Sequence, residues 1–207
     1  HLLVVGCGGQ AIFQIAAMLT AFPGLRQVTV SNPRNLSRAE AFVSTLPRRL
    51  TEEFGLSVSA VRFAAAASPE QALETADVVI TVTPSRAPLI QKEWVRSGTH
   101  FSCIGADAEG KEELDPRLFS GACVFVDDAV HCTLAGEVEL PLKQGILRPE
   151  DISGEIGDLL LGKLPGRADA RQTTIFDATG MALLDLAAAK TALDAAAQLG
   201  LGRVVEL

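Results

Sequence analysis

The sequence has 207 residues, of which 48% are apolar and 21% charged, and its formal net charge at pH 7 is −7. This length and apolar content exclude a disordered tail and fit one large domain with a buried core. The acidic balance argues against a nucleic-acid or membrane-surface partner, and no apolar run approaches the roughly 20 residues of a bilayer span.

Cysteine spacing and the start of the chain give two further expectations. Cys7, Cys103, Cys123 and Cys132 form no C-x-x-C pair, so we expect reduced, mostly buried thiols, no metal site and a cytoplasmic location. The chain opens at His1, directly before an apolar run, and domains rarely begin inside a core strand. We therefore expect a further segment to precede this one.

Short apolar or β-branched runs alternate with longer helical segments along most of the chain. The runs predict strands at 2–5, 27–31, 58–63, 77–83, 100–104, 122–126 and 173–176. Helices are predicted at 10–21, 37–54, 69–75, 149–161 and 180–199. The alternation implies right-handed βαβ units and predicts an α/β fold with a doubly wound, mostly parallel sheet and helices on both faces.

A glycine cluster, GCGGQA at 6–11, follows the first strand and opens the first helix. It fits G-x-G-x-x-A, in which Gly6 makes the tight turn, Gly8 lets the backbone approach a pyrophosphate, and Ala11 lets the helix pack closely on the strand. The helix N-terminus would then bind the phosphates. The pattern predicts a Rossmann-type dinucleotide site that also includes Gly9 and Gln10; the alternative is a glycine turn without a ligand.

The end of the second strand bears on which dinucleotide binds. An acidic residue there would hydrogen-bond the adenosine ribose of NAD, but this sequence has Asn32, with Arg34 and Arg38 behind it. Two arginines suit a 2′-phosphate, which favours NADP(H) and leaves NAD(H) possible. The alternative is that both arginines are merely solvated residues at the start of a helix.

Two further strand ends carry candidate residues, because ligands of an open parallel sheet lie beyond the carboxyl ends of its strands. Asp107, in the sequence IGAD, is the candidate catalytic acid, since a carboxylate there could transfer a proton or orient a water; it could equally be a turn residue. The candidate cofactor contacts beside it are Thr83, Pro84, Ser85, Gly105 and Ala106.

Other polar residues carry less weight. Asp127 and Asp128 follow the sixth strand, and such a pair at a helix N-terminus is more typical of a helix cap than of catalytic acids. Glu137 is a possible crevice residue, and Lys111 is expected at the surface. His100 and His131 lack the spacing of metal ligands, so structural roles are expected for both.

Several segments in the same order resemble the ornithine cyclodeaminase/mu-crystallin family over essentially the whole chain. They are VVGCGGQA (4–11), ADVVITVTPSRAPL (76–89), GTHFSCIGADAEGKEEL (98–114), VFVDD (124–128), GEV (136–138), GEIGDLLLGKLPGR (154–167) and TIFDATGMALLDLAAAK (174–190). The resemblance implies an NAD(P)-binding Rossmann domain, placed at 1–180, and a homodimer. It also implies chemistry on amino acids or cyclic imines.

The resemblance also implies residue roles. The family's phosphate loop falls on Gly6, Gly8, Gln10 and Ala11, its adenosine-end position on Asn32 and Arg34, and its catalytic aspartate on Asp107. Because mu-crystallin itself departs from that aspartate, Asp107 favours the cyclodeaminase and alanine-dehydrogenase-like branches. The segment IFDATG matches a stretch bordering the nicotinamide, which makes second-tier contacts of Phe176, Asp177, Thr179 and Gly180.

The family's substrate-binding arginines and lysine, and its dimer surface, belong to an N-terminal segment of about a hundred residues that this chain does not contain. The helical segment 181–207 is expected to pack on that absent domain. The favoured hypothesis is hydride transfer between a nicotinamide and the α-carbon of an amino acid or the C=N carbon of a cyclic ketimine. The alternative is a non-catalytic NADP(H)-binding protein of mu-crystallin type.

Overall fold

The computed structural model describes residues 1–203 and 205. In these residues an eight-stranded parallel sheet forms the centre of the fold. In chain order, the strands of the described residues are β1 (Leu2–Val5), β2 (Gln27–Ser31), β3 (Arg62–Ala66), β4 (Val78–Thr81), β5 (Arg86–Ile90), β6 (His100–Cys103), β7 (Glu112–Leu114), β8 (Cys123–Val126), β9 (Ile152–Glu155) and β10 (Thr174–Asp177). Strands β5 and β7 form a small separate sheet, and the others form the main sheet. The main sheet has the order β3-β2-β1-β4-β6-β10-β8-β9 with parallel pairing throughout, and β5 pairs with β7.

Helices cover both faces of the main sheet. They are α1 (Gly9–Ala21), α2 (Leu36–Phe54), α3 (Glu70–Leu73), α4 (Ala129–Ala135), α5 (Glu139–Lys143), α6 (Ile156–Leu160) and α7 (Ala182–Gln198). Single 3₁₀ turns lie at Lys92–Trp94, Pro116–Phe119 and Pro149–Asp151.

Strand β1 shows how the two faces are filled. Leu2 and Val4 pack in one apolar cluster with residues of α1 and α2, whereas Leu3 and Val5 pack in a second cluster that includes Phe101. Successive side chains of a strand point to opposite faces, so β1 must be apolar at every position. The prediction of a Rossmann-type, doubly wound fold is therefore confirmed.

The order in which the chain adds strands to the main sheet reverses at β1. From β1 the chain runs outward through β2 to β3, then returns to place β4 on the other side of β1. Ligands of such sheets bind at this switch point, beyond the carboxyl ends of the strands. The loops after β1, β2 and β4 therefore meet where the sequence places its candidate site.

Two predicted elements are wrong in position or type. The strand predicted at 58–63 lies at Arg62–Ala66, because Val58 and Val61 instead fill the apolar cluster beside α2. The helix predicted at 149–161 is divided into a 3₁₀ turn, β9 and α6. Gly154 has a φ of +138°, a conformation outside the helical region, and its position inside the segment breaks the helix.

The C-terminal helix is confirmed as α7, but nothing among the described residues covers it. None of its side chains is buried, and Leu183, Leu186 and Leu193 are each about two thirds or more exposed at 67%, 67% and 71%. Residues 204, 206 and 207 of the predicted 181–207 segment lie outside the described residues. In the part of the chain that the structure describes, no helix has the length and apolar character to cross a bilayer.

Candidate active site

A crevice of about 490 Å³ opens where the loops after β1, β2 and β4 meet. Seven of the predicted cofactor contacts line it: Gly6, Gly8, Asn32, Arg34, Thr83, Pro84 and Ser85. Arg38, the second arginine expected near a 2′-phosphate, also lines it. The remaining lining residues were not singled out by the sequence: Cys7, Pro33, Asn35, Val82 and Leu89.

The glycine loop has the features that an approaching anion needs. Gly6 has a φ of +116°, and its N–H donates to Ser31 O at 2.9 Å, which turns the chain sharply after β1. A Cβ atom on Gly8 or Gly9 would meet no atom within 4 Å, so the space over the loop is open. Gly8 is the N-cap of α1 and has no side chain to occupy the first N–H groups.

The two other predicted residues of this motif have different environments. Gln10 is exposed in the first turn of α1, outside the crevice lining. Ala11 is fully buried in the cluster between α1 and the sheet. Its small side chain therefore serves helix–strand packing, as the sequence pattern predicts.

The loop after β2 presents two cations to the crevice. Asn32 donates from Nδ2 to Cys7 Sγ at 3.2 Å and accepts from Arg34 N at 3.2 Å, while Asn35 caps α2 by accepting from Arg38 N at 3.0 Å. These bonds fix the backbone and leave the guanidinium groups projecting. Neither Arg34 nor Arg38 forms an ion pair within residues 1–203 and 205.

A buried glutamate joins the loops after β4 and β6. Glu113, on β7, is fully buried; its Oε1 accepts from Thr83 N at 2.7 Å and its Oε2 from Gly105 N at 3.0 Å. A Cβ on Gly105 would lie 2.2 Å from Thr83 O. Gly105 is therefore required by the contact between the two loops, and the neighbouring Ala106 is fully buried.

Asp107 lies just past β6, outside the residues that line the crevice. Its side chain is 54% exposed and forms an ion pair with Lys111 Nζ, whose own side chain is only 19% exposed. Lys111 is therefore half-buried, less exposed than the sequence suggests, and its ammonium group pairs with Asp107. This pairing leaves the carboxylate accessible to a reactant.

A second buried acid organises the loop after β10. Asp127 accepts from Gly180 N at 2.7 Å, from Thr179 Oγ1 at 3.2 Å and from Cys132 Sγ at 3.0 Å. Burial alone would raise the pKa of this carboxyl group, but these hydrogen bonds outweigh it and lower the pKa below its ordinary value. Thr179 and Gly180 are thus tied to the sheet edge. Of the two acids expected to cap α4, only Asp128 does so, by accepting from His131 N at 2.7 Å, whereas Asp127 holds the loop after β10.

Two further acids lie beneath these loops. Glu137 is buried, with Oε1 accepting from Glu113 N at 2.8 Å and Leu114 N at 2.6 Å, so its predicted place in the crevice is wrong. Asp177 is also fully buried, and its Oδ2 accepts from Val138 N at 3.1 Å, so it is not an exposed nicotinamide contact. Burial raises the pKa of both groups, that of Asp177 to about 7.

His100 and the cysteines have structural environments. His100 Nδ1 lies 2.7 Å from Thr174 Oγ1, and burial lowers the pKa of the imidazole to about 4. Cys103, Cys123 and Cys132 are buried free thiols, in line with the sequence, whereas Cys7 is half-buried in the crevice wall.

Comparison with known proteins identifies relatives along nearly the whole chain. The model of the ornithine cyclodeaminase/mu-crystallin family matches residues 1–199. Alanine dehydrogenase from Archaeoglobus fulgidus is 35% identical over 202 residues, which are 98% of this chain and 58% of that protein.

Two solved structures extend the match to three dimensions. A structure of an archaeal alanine dehydrogenase dimer with bound NAD superposes with a TM-score of 0.86 at 33% identity, covering 100% of this chain and 60% of the other. Thermococcus litoralis Δ1-pyrroline-2-carboxylate reductase, in complex with NADH and L-proline, gives a TM-score of 0.87 at 25% identity, with 99% and 60% covered. The chain spans 58 to 60% of the length of these proteins. Match length and fold together show that the chain belongs to the ornithine cyclodeaminase/mu-crystallin family.

Proposed function

We propose that this chain is the dinucleotide-binding domain, at 1–180, of an NAD(P)-dependent enzyme acting on amino acids or cyclic imines. The observation that carries the proposal is that an open glycine loop, two arginines without an ion-pair partner in the described residues and an accessible aspartate all lie beyond the carboxyl ends of strands of one parallel sheet. The relatives described above are enzymes of this kind, and they give no support to the alternative of a non-catalytic binding protein.

The crevice fits a dinucleotide on its own features. Open space over Gly8 and Gly9 leaves room for a pyrophosphate, and the first turn of α1 contains no acidic residue to repel one. Gly6 has to be glycine for the loop to reach this position. Gly6, Gly8 and the N–H groups of Gly9 and Gln10 would hold the phosphates, and Thr83, Pro84 and Ser85 would form the opposite wall.

Within this site NADP(H) is favoured over NAD(H). Asn32 is neutral and already engaged with Cys7, so no carboxylate stands where the adenosine ribose of NAD would need one. Arg34 and Arg38 both reach the crevice without an ion-pair partner in the described chain, a setting suited to a phosphate dianion. The solved relatives contain NAD or NADH, so NAD(H) is the competing cofactor in the test.

Asp107 would be the catalytic acid–base group, a role supported by its place just past β6 and its exposed carboxylate. When bound, the nicotinamide ring supplies or accepts the hydride at the substrate carbon. Asp107 would hold or move the proton at the substrate nitrogen, or orient a water. Lys111 would keep its carboxylate in place, and Thr179 and Gly180 would border the nicotinamide on the loop fixed by Asp127. Cyclodeamination, imine reduction and amino-acid dehydrogenation would all use this one site.

The substrate-carboxylate groups and the subunit interface are proposed to lie on another domain. The exposed leucines of α7 form an apolar surface such as a partner domain would cover. We infer a homodimer for the complete protein, supported by a family relative of known structure that is a dimer. The substrate would be a small amino acid or cyclic imine.

Fluorescence titration of the protein with NADPH and, separately, with NADH tests the cofactor assignment. Saturable binding that favours NADPH is expected. Oxidation of the bound reduced cofactor by Δ1-pyrroline-2-carboxylate, or by pyruvate with ammonia, in the complete protein with its proposed substrate domain then tests the reaction class. Binding of neither dinucleotide would overturn the proposal, and binding by the complete protein without turnover of any imine or amino acid would favour a binding protein.

A further inference from the structure

Glu113 touches both walls of the region where the reaction is proposed to occur, yet it lies outside the crevice lining. Each oxygen of its carboxyl group accepts one backbone N–H, from Thr83 on one loop and from Gly105 on the other. The residue is fully buried, so water does not share these bonds. One side chain therefore fixes the separation of two loops that come from different strands.

These two N–H groups lie immediately beyond the ends of the sheet ladder. Val82 N still donates to Val5 O at 2.9 Å, and Ile104 N to Thr81 O at 2.9 Å. The next residue along each strand, Thr83 or Gly105, has left the ladder and bonds to Glu113 instead. The carboxyl group of Glu113 thus replaces the strand partner that the next N–H of each strand would otherwise need. It thereby sets the direction in which each loop leaves the sheet.

The two loops lead to different parts of the proposed site. Thr83 lines the crevice close to Gly6, since a Cβ added to Gly6 would lie 3.1 Å from the Thr83 methyl carbon. Gly105 stands two residues before Asp107. A shift of Glu113 would therefore change the position of the candidate acid relative to the crevice wall.

Glu113 is itself held from below by a second buried carboxyl group. Glu137 Oε1 accepts from both Glu113 N and Leu114 N, and the next residue, Val138, donates to Asp177 Oδ2. The path runs from β10 through Asp177 and Glu137 to β7. Glu113 is consequently fixed at its backbone as well as at its side chain, as a precise support requires.

We propose that Glu113 is a positioning residue that sets the nicotinamide end of the cofactor site by holding the loops of Thr83 and Gly105 together. This role rests on the proposed function. It is distinct from a purely structural role, because it predicts a local effect on one half of the ligand. The adenosine half would bind the loops after β1 and β2, which Glu113 does not touch.

The test compares Glu113→Gln with Glu112→Gln, the same change at the neighbouring position of β7. An amide keeps the shape of the carboxyl group but turns one acceptor into a donor that faces a backbone N–H. Glu112 is a matched control, because its side chain projects to the other side of the strand and makes no hydrogen bond with any described residue. Each variant is titrated with the dinucleotide that the wild-type protein prefers and with the corresponding ADP-ribose fragment, which lacks nicotinamide.

We expect Glu113→Gln to weaken binding of the complete dinucleotide by about tenfold or more, with ADP-ribose affinity changed less than about twofold and Glu112→Gln neutral. Equal weakening of both ligands, or no weakening, would overturn the positioning role. Failure of the wild-type protein to bind either ligand would instead overturn the proposed function, and this role with it.

Hydrogen exchange on the wild-type protein keeps the inference testable if Glu113→Gln does not fold. The amides of Thr83 and Gly105 should exchange slowly in the absence of any ligand, because both are held by a buried acceptor. Rapid exchange at these two amides, beside slow exchange at Val82 and Ile104, would show that Glu113 does not hold the loops and would overturn the proposal.

Discussion

A Cβ atom on Gly6 would lie 2.6 Å from the carbonyl oxygen of Val82. This distance is shorter than any ordinary carbon–oxygen contact, and the obstacle is backbone, which cannot rotate away. Gly6 also has a φ of +116°, where other residues are strained. Two independent constraints therefore require glycine at the point where β1 passes into the crevice.

Gly6→Ala should destabilise the fold and remove cofactor binding together. The positive φ and the contact with Val82 each cost about 1–3 kcal/mol when strained. Thermal or urea unfolding measures the effect on the free energy of unfolding. Gly9→Ala is the matched control, because a Cβ there meets no atom within 4 Å and alanine favours the helix. Equal stability of the two variants would contradict this account of the turn.

Gly8→Ala should separate binding from stability. The φ of Gly8 is −81°, which alanine adopts freely, and no protein atom lies within 4 Å of the added Cβ. The methyl group would instead occupy space proposed for the pyrophosphate. We expect an unfolding free energy within about 0.5 kcal/mol of wild type and dinucleotide affinity reduced by about tenfold or more. Unchanged affinity would exclude a close approach of phosphate to Gly8.

The fold was predictable where burial on both faces makes a strand wholly apolar. The segments LLVV of β1 and CVFV of β8 are such runs, and glycine after the first of them marks the turn. Strands β5, β7 and β9 read RAPLI, EEL and ISGE. The polar, proline and glycine residues of these three strands give no strand pattern in the sequence, because the strands form by pairing with segments that are distant in the sequence.

The candidate site was predictable to the extent that it follows from strand ends. Gly6, Arg34 and Thr83 meet in one crevice because parallel strands end at the same edge. Glu113 was not singled out, and Asp177 was expected as a contact of the nicotinamide and not as a buried group, since an acidic residue is usually exposed. Their burial becomes apparent only when the third dimension brings backbone N–H groups to their carboxyl oxygens.

Arg34→Ala should reduce the affinity for NADPH more than that for NADH. Loss of a charge-assisted contact to the 2′-phosphate costs about 1–3 kcal/mol, or about 5- to 150-fold in Kd. The two Kd values come from parallel fluorescence titrations. Arg48→Ala serves as the control, because Arg48 lies farther along α2 and pairs with Glu52 at 2.7 Å. Equal loss for both dinucleotides would remove Arg34 from the 2′-phosphate site.

Asp107→Asn should reduce turnover by at least about a hundredfold while dinucleotide affinity stays near wild type. The amide preserves the shape of the side chain, but at neutral pH it can neither give up nor accept a proton as a carboxyl group does. Steady-state rates and titrations on one preparation of the complete protein, which includes the proposed substrate domain, give both quantities. Asp158→Asn is the control, since Asp158, on α6, also forms an ion pair with a nearby lysine, Lys163, at 2.7 Å. Full turnover in Asp107→Asn would exclude this residue from proton transfer.

The buried carboxyl group of Asp177 predicts how stability depends on pH. Burial raises its pKa from 3.8 to about 7, and Oδ1 has no hydrogen-bond partner within the described residues. The folded protein therefore keeps a proton that the unfolded chain releases above about pH 4. The proton bound to Asp177 therefore contributes fully to the free energy of unfolding below the unfolded pKa, and this contribution is lost as pH rises through about 7. Glu137 also lowers stability as pH rises, because burial raises its pKa as well.

Urea unfolding between about pH 6.5 and pH 8 measures this loss, and the free energy of unfolding should fall across the interval. The interval is chosen because His100, whose pKa is lowered to about 4, destabilises the fold only below its ordinary pKa near 6.5. Asp177→Asn should flatten the decline, since the amide still accepts from Val138 N but does not titrate. Asp158→Asn, at an exposed site, should leave the decline unchanged. A decline equally steep in Asp177→Asn would mean that Asp177 contributes none of the slope and that another buried acid with a raised pKa, such as Glu137, produces it.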